Sequence, residues 1–250
     1  MNRQSLGIND TWSAYRYGDQ IKIVYHKRGR LSGGRASAFK REATPTPSDD
    51  ERLSQSLSRT RSTVFELAAC NDFEYFVTLT LDSTKRDRGD LASFRKALAQ
   101  FIRDQNKRRS DEDRIAYLFV PEQHRDGCWH MHGLIRGLRL HLDLSTNEHG
   151  YLDWRAYRDR FGFISLQAIR NKHACCSYVA KYVTKAMQSD NGLETDIKSH
   201  GHLYFASQGL KRREPLERFS AGALPTNFEW DYENDYVKIR WLNLDEFSAS

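Results

Sequence analysis

Residues 115–136 read IAYLFVPEQHRDGCWHMHGLIR. Two runs of aliphatic, aromatic and β-branched residues flank a short polar segment, the pattern of two strands joined by a tight turn. A three-residue loop, Arg125-Asp126-Gly127, with its glycine in the left-handed conformation, closes many such hairpins. It sets His124 opposite Cys128 and Glu122 opposite His130. A two-residue Asp-Gly turn sets Gln123 opposite His130 instead. The first register is preferred, because a carboxylate gains far more from a nearby cation than an amide does. Alternate residues of a strand share a face. His130, His132 and Leu134 then point one way, and Met131, Gly133 and Ile135 the other. The Met/Ile face can pack on helices, which leaves two imidazoles side by side on the open face. Two histidines and one carboxylate, with positions left for water and substrate, suit a catalytic Mn²⁺ or Mg²⁺ better than a closed zinc site. The plain alternative is a pair of half-exposed surface histidines.

Outward from this hairpin, Glu74–Leu81 (EYFVTLTL) has the composition of a strand, and Thr63–Ala69 that of a helix. Asp90–Lys107 places Leu91, Phe94, Leu98, Phe101 and Ile102 on one helical stripe. A polar loop runs through Gly150 to a short helix near Trp154–Arg160, then a strand at Phe163–Ile169 and a helix over His173–Gln188. The order strand, helix, strand, strand, helix, strand, helix predicts an α+β fold. Its centre is an antiparallel sheet of about five strands with helices packed on one face, a split β-α-β arrangement. The expected organisation is a basic N-terminal extension over residues 1–55 with a candidate strand at Gln20–His26, a domain over 56–215, and an acidic, aromatic extension over 216–250 whose end can form a hairpin.

Residues 175–187, CCSYVAKYVTKAM, hold Tyr-x-x-Lys twice: Tyr178 with Lys181, and Tyr182 with Lys185. On a helix these four share one face, while Cys176, Val179, Ala180, Val183 and Ala186 form an apolar stripe that docks it. The bland reading is an amphipathic helix whose solvent face carries Tyr and Lys. The chemical reading is sharper. A phenol with a pKa near 10 is a poor nucleophile until a cation stabilises its anion. Two hydroxyls four residues apart can reach one phosphate, which a metal opposite would polarise.

Together FVTLTL (Phe76–Leu81), WHMHGLI (Trp129–Ile135) with the acidic residue of VPEQH (Glu122), and YVAKYVTK (Tyr178–Lys185) resemble the three motifs of the HUH endonucleases. Among these they are similar to the two-tyrosine initiators of rolling-circle replication found in small single-stranded DNA phages and related plasmids or integrated elements. The lead-in over residues 56–76 and YFASQGLKR (Tyr204–Arg212) are also similar, so the likeness spans about residues 56–215. The resemblance implies that Glu122, His130 and His132 bind the metal, with the tyrosine helix over the metal face. Tyr178 and Tyr182 would alternate as nucleophiles, with Lys181 and Lys185 assisting the phosphate or phenolate. It implies a metal-dependent, sequence-specific nicking and joining of single-stranded DNA through a 5′-phosphotyrosine. Thr78 and Thr80, beside the metal strand, could touch substrate or serve only as β-branched sheet formers. A transposase or relaxase on the same scaffold, a single-tyrosine enzyme, and a non-catalytic nucleic-acid-binding module are the rival readings.

The net charge of +6 over 250 residues favours an acidic polymer as partner. Single-stranded DNA at a replication origin is the expected one, gripped by the basic helix Asp90–Lys107, the N-terminal arm and Lys211, Arg212 and Arg213. No G-x-x-x-x-G-K-[ST] loop is present, so a host helicase and polymerase are expected to unwind and copy the duplex. No run is long and apolar enough for a membrane, and the N-terminus lacks a signal-peptide core. The expected location is the cytoplasm of a bacterial or phage-infected cell. The four cysteines show no Cys-x-x-Cys spacing and are expected to be reduced. The sequence leaves the oligomeric state open, a monomer included.

Overall fold

The computed structural model describes residues 12–27, 48–185, 203–216 and 229–244, apart from the side chains of 49, 50, 184 and 185. In chain order the elements are β1 (Trp12–Tyr17), β2 (Gln20–His26), α1 (Asp49–Cys70), β3 (Tyr75–Thr80), α2 (Leu91–Asn106), β4 (Ala116–Gln123) and β5 (Trp129–Arg136). They continue with β6 (Leu144–Thr146), β7 (Leu152–Trp154), α3 (Arg155–Arg160), β8 (Ile164–Ala168), α4 (Lys172–Lys185) and β9 (Phe205–Ala206). Last come β10 (Glu214–Pro215), β11 (Tyr232–Glu233) and β12 (Val237–Asn243). The chain divides into two compact units, Asp49–Lys211 and a second made of residues 1–48 with 212–250.

The unit Asp49–Lys211 is α+β. Its sheet has five strands in the order β8-β3-β5-β4-β9, and every neighbouring pair is antiparallel. One face carries Val77, Leu79, Phe119, Met131 and Ile135 into the main core. Against it lies α2, whose stripe Leu91, Phe94, Leu98, Phe101 and Ile102 is buried as its periodicity predicts. Each such side chain contributes about 2 kcal/mol relative to staying exposed. Asp90 starts α2 by accepting a bond from the Ser93 N–H at 2.9 Å. Tyr157 of α3 and the wholly buried Trp154 and Phe161 extend the same core. The other face of the sheet is covered by α4, which packs on α1. Cys176, Val179, Ala180 and Val183 are the buried stripe of α4, and Val64, Leu67 and Ala68 are buried on α1. Asn171 caps α4 through its side chain to the Ala174 N–H at 2.9 Å.

Among the departures from expectation, besides the unforeseen strands β1, β9 and β10, are a longer helix and a further hairpin. The helix expected over Thr63–Ala69 runs the full length of α1, because nothing in DDERLSQSLSRTR breaks it once Val64–Ala69 anchors its end. Its first turns are mostly exposed and show no apolar periodicity, so only the docked end is legible. The segment read as a polar loop through Gly150 holds the hairpin β6–β7. Arg109 ties down the neighbouring turn, donating to the Gly137 carbonyl and to the nearly buried Asp143, both at 2.6 Å.

The second unit is an antiparallel sheet in the order β10-β1-β2-β12-β11. Gln20–His26 is the central β2, and β11 and β12 form the hairpin expected of the aromatic C-terminal segment. Ala14, Ile21 and Ile23 make its small core, with Trp12, Leu216, Leu242 and Leu244 packed against them. All four cysteines are free. Among the described residues no helix is long and apolar enough to cross a membrane.

Candidate active site

The hairpin β4–β5 closes in the preferred register. The His124 N–H donates to the Cys128 carbonyl at 2.9 Å, and Gly127, at φ 80°, donates to the His124 carbonyl. Glu122 therefore stands opposite His130, while Gln123 pairs with Trp129 and turns its amide to the Gly127 carbonyl. Across β5 from Glu122 lies Thr80, so Thr80, His130 and Glu122 form one row of the sheet, and Thr78 and His132 belong to the next.

These rows explain how the imidazoles are held. The Thr78 and Thr80 hydroxyls bond Nδ1 of His132 and of His130, at 3.1 and 2.9 Å. A histidine anchored through Nδ1 turns Nε2 outward in a fixed ring orientation, as metal-binding imidazoles commonly are. Nε2 of His132 lies 2.6 Å from Oε2 of Glu122. It is fully buried and yet has no bond of hydrogen-bonding geometry among the described residues. Two basic atoms drawn to one point without a good hydrogen bond form a donor pair that suits a shared cation. Nε2 of His124 stands 3.7 Å from the same carboxylate oxygen. Ligand atoms of Glu122, His124 and His132 all lie within 4.8 Å of one another, a group able to hold a metal ion.

His130 sits beside that group rather than in it. Its ring stacks on His124 with centroids 3.7 Å apart and lies parallel to His132 at 6.4 Å. Burial, then the neighbouring His124 and His132, lower its pKa from 6.5 to about 4. Between these values the unfolded chain takes up a proton that the folded chain refuses. Stability is therefore full above about pH 6.5 and lost as pH falls toward 4. Thermal midpoints in chelator should fall between neutral and acid pH, and fall less in His130→Gln; equal falls would remove His130 as the cause.

The tyrosine helix meets these residues. Tyr182 is 8 % exposed and stacks on His132 at 4.2 Å, whereas Tyr178 is 49 % exposed. Their hydroxyls are 2.9 Å apart. Burial above all, then the hydrogen bond shared with Tyr178 and the charges of Tyr178 and Glu122, raises the pKa of Tyr182. Phe76 seats both rings, edge-on to Tyr178 at 5.3 Å and stacked on Tyr182 at 6.3 Å. Lys181 is exposed on α4, and the side chain of Lys185 lies outside the described residues. One locus on the sheet thus gathers two phenols, three imidazoles and a carboxylate.

Residues 74–187 match the family model of the replication-associated protein ORF2. The match supports a replication initiator. It runs from the residue before β3 to just past α4 and takes in the whole locus. Neither a curated protein nor a solved structure matches the chain. The cluster of histidines and glutamate on an α+β scaffold is compatible with an HUH-like fold.

The three basic residues expected to grip DNA fall in two different units. Lys211 is exposed, and its backbone exchanges bonds with the Asn71 side chain at 2.9 and 3.0 Å. Arg212 and Arg213 belong to the other unit, where Arg213 donates to the Tyr17 hydroxyl at 3.1 Å and lies over the Tyr15 ring.

Two participants escape the sequence reading. His124 has a visible signal: Glu122-x-His124, running from β4 to the residue just after it, mirrors His130-x-His132 on β5. Phe76 has none, because an aromatic residue in a strand reads as a sheet former.

Proposed function

We propose that the protein initiates replication by nicking and rejoining single-stranded DNA at an origin through tyrosine. The reading rests on one observation above all: the two phenol oxygens lie 2.9 Å apart, and the Tyr182 ring stacks on His132, whose Nε2 approaches Glu122. Glu122 and His132 would hold a divalent cation, with a second imidazole as third ligand drawn from the stacked pair His124 and His130, and Thr78 and Thr80 orient the rings. When bound, Mn²⁺ or Mg²⁺ supplies the electrostatic polarisation of the scissile phosphate. One tyrosine oxygen forms a bond to phosphorus as the bond to the 3′ oxygen breaks. The phenolic proton leaves with the 3′-hydroxyl, and the strand stays joined to the protein by its 5′ phosphate. Lys181 and Lys185 offset the charge gathering on the phenolate and phosphate. The second tyrosine repeats the attack after copying, and the freed 3′-hydroxyl then displaces the first tyrosine and closes a circle. Lys211, Arg212 and Arg213 grip the strand backbone, and a host helicase opens the duplex.

The difference in exposure between Tyr178 and Tyr182 favours a second reading, in which only Tyr178 attacks. One experiment separates the two. Labelled single-stranded origin DNA incubated with the protein and Mn²⁺ should yield a slower, protein-linked band that EDTA prevents. Tyr178→Phe and Tyr182→Phe should each keep the band, and the double variant should lose it. Loss in Tyr178→Phe alone establishes the single-tyrosine reading. A band that survives the double variant refutes tyrosine chemistry altogether.

A further inference from the structure

On the face of the sheet away from the histidines, a cleft of about 660 Å³ opens between α2, the start of β4 and the segment Tyr204–Gln208. Four arginines line it, Arg95 and Arg103 from α2, Arg114 before β4 and Arg136 at the end of β5. The single acidic residue of the lining, Asp111, already pairs with Arg114 at 3.0 Å. Tyr117 and Tyr204 also line the cleft, and Arg95 lies over the Phe205 ring at 5.1 Å. Burial raises the pKa of the Tyr117 phenol, while the charges of Arg103 and Arg95 act in the opposite direction. Both guanidiniums therefore converge on the tyrosine that forms part of the wall.

We propose that this cleft holds a nucleotide of the single-stranded DNA outside the cleaved phosphate, as a second grip on the strand. Guanidiniums bind phosphate through forked, charge-assisted bonds, and aromatic rings stack on any base. A cleft of this volume fits one nucleotide and its phosphate, and is too small for a duplex. Its position lets a strand engaged at the tyrosines pass around the edge strand β9, so that the protein keeps hold of a product end after cutting. The inference rests on the reading of the protein as a single-strand nicking enzyme, but its test does not need cleavage.

The experiment measures binding of a fluorescent mixed-sequence strand of about 30 nucleotides to the full chain across a salt series, in EDTA. Arg103→Ala/Arg114→Ala should weaken binding about tenfold or more and flatten the salt dependence by about two phosphate contacts. Tyr204→Ala should weaken it several-fold with the salt dependence unchanged, and Tyr204→Phe should restore it. Arg59→Ala/Arg155→Ala removes the same charge elsewhere and should have little effect. Equal weakening by both arginine pairs would show a diffuse charge effect and overturn the proposal. Parental binding by the cleft variants would also overturn it. So would a cleft that binds deoxyadenosine monophosphate in an arginine-dependent way while strand binding stays unchanged, since that marks a free-nucleotide site. Adduct formation with Mn²⁺ at saturating DNA, read on the same samples, reports on the nicking reading separately.

Discussion

His132→Ala should lower the rate of covalent attachment to DNA by about a thousandfold or more, with strand binding kept within about threefold. This side chain serves both halves of the site: Nε2 approaches the Glu122 carboxylate at 2.6 Å, and its ring carries Tyr182 at 4.2 Å. Alanine removes a cation ligand and the platform that places a nucleophile. It touches none of the basic residues that would grip the strand. Thr78→Val, which deletes only the hydroxyl on Nδ1, should cost about tenfold to a hundredfold through weakened metal affinity, and excess Mn²⁺ should recover most of it. Titration with Mn²⁺ also decides the third ligand, since whichever of His124→Ala and His130→Ala loses more affinity marks it. Unchanged attachment by His132→Ala would take this residue out of the site.

Gly133→Ala should destabilise the protein by about 3 kcal/mol, among the larger effects of a single methyl group. A Cβ at this position would stand 2.0 Å from the Leu118 carbonyl oxygen and 2.9 Å from the Phe119 Cα. All of these are backbone atoms of β4, so no side chain can swing aside. The strands must part in the row next to His132, and attachment activity should fall in whatever fraction still folds. Urea unfolding should show a lower midpoint with an unchanged slope. A midpoint equal to the parent's would mean that β4 and β5 can separate here at little cost.

How much of this was legible beforehand varies with the range of the interaction. The hairpin was fully readable, because its turn residues and its period-two alternation are local: Gly127 takes the left-handed conformation, and Glu122 falls opposite His130. The buried stripe of α2 and the docking stripe of α4 were readable from their helical period for the same reason. The exposed start of α1 and the short hairpin β6–β7 were not, since neither carries a sustained apolar rhythm.

By itself the sequence determined the residue types of the site, the strand and helix that carry them, and the face on which each stands. Only the tertiary structure decided that Tyr182 rests on His132, that Thr78 and Thr80 orient the imidazoles, and that His124 joins Glu122 and His132. It likewise decided that strands from the two ends of the chain share one sheet, and that a basic cleft opens on the far face of the other. The physical reason is common to all of these. Alternation and helical period tell which way a side chain leaves its own backbone. What it meets there depends on how distant segments pack, and no local pattern encodes that.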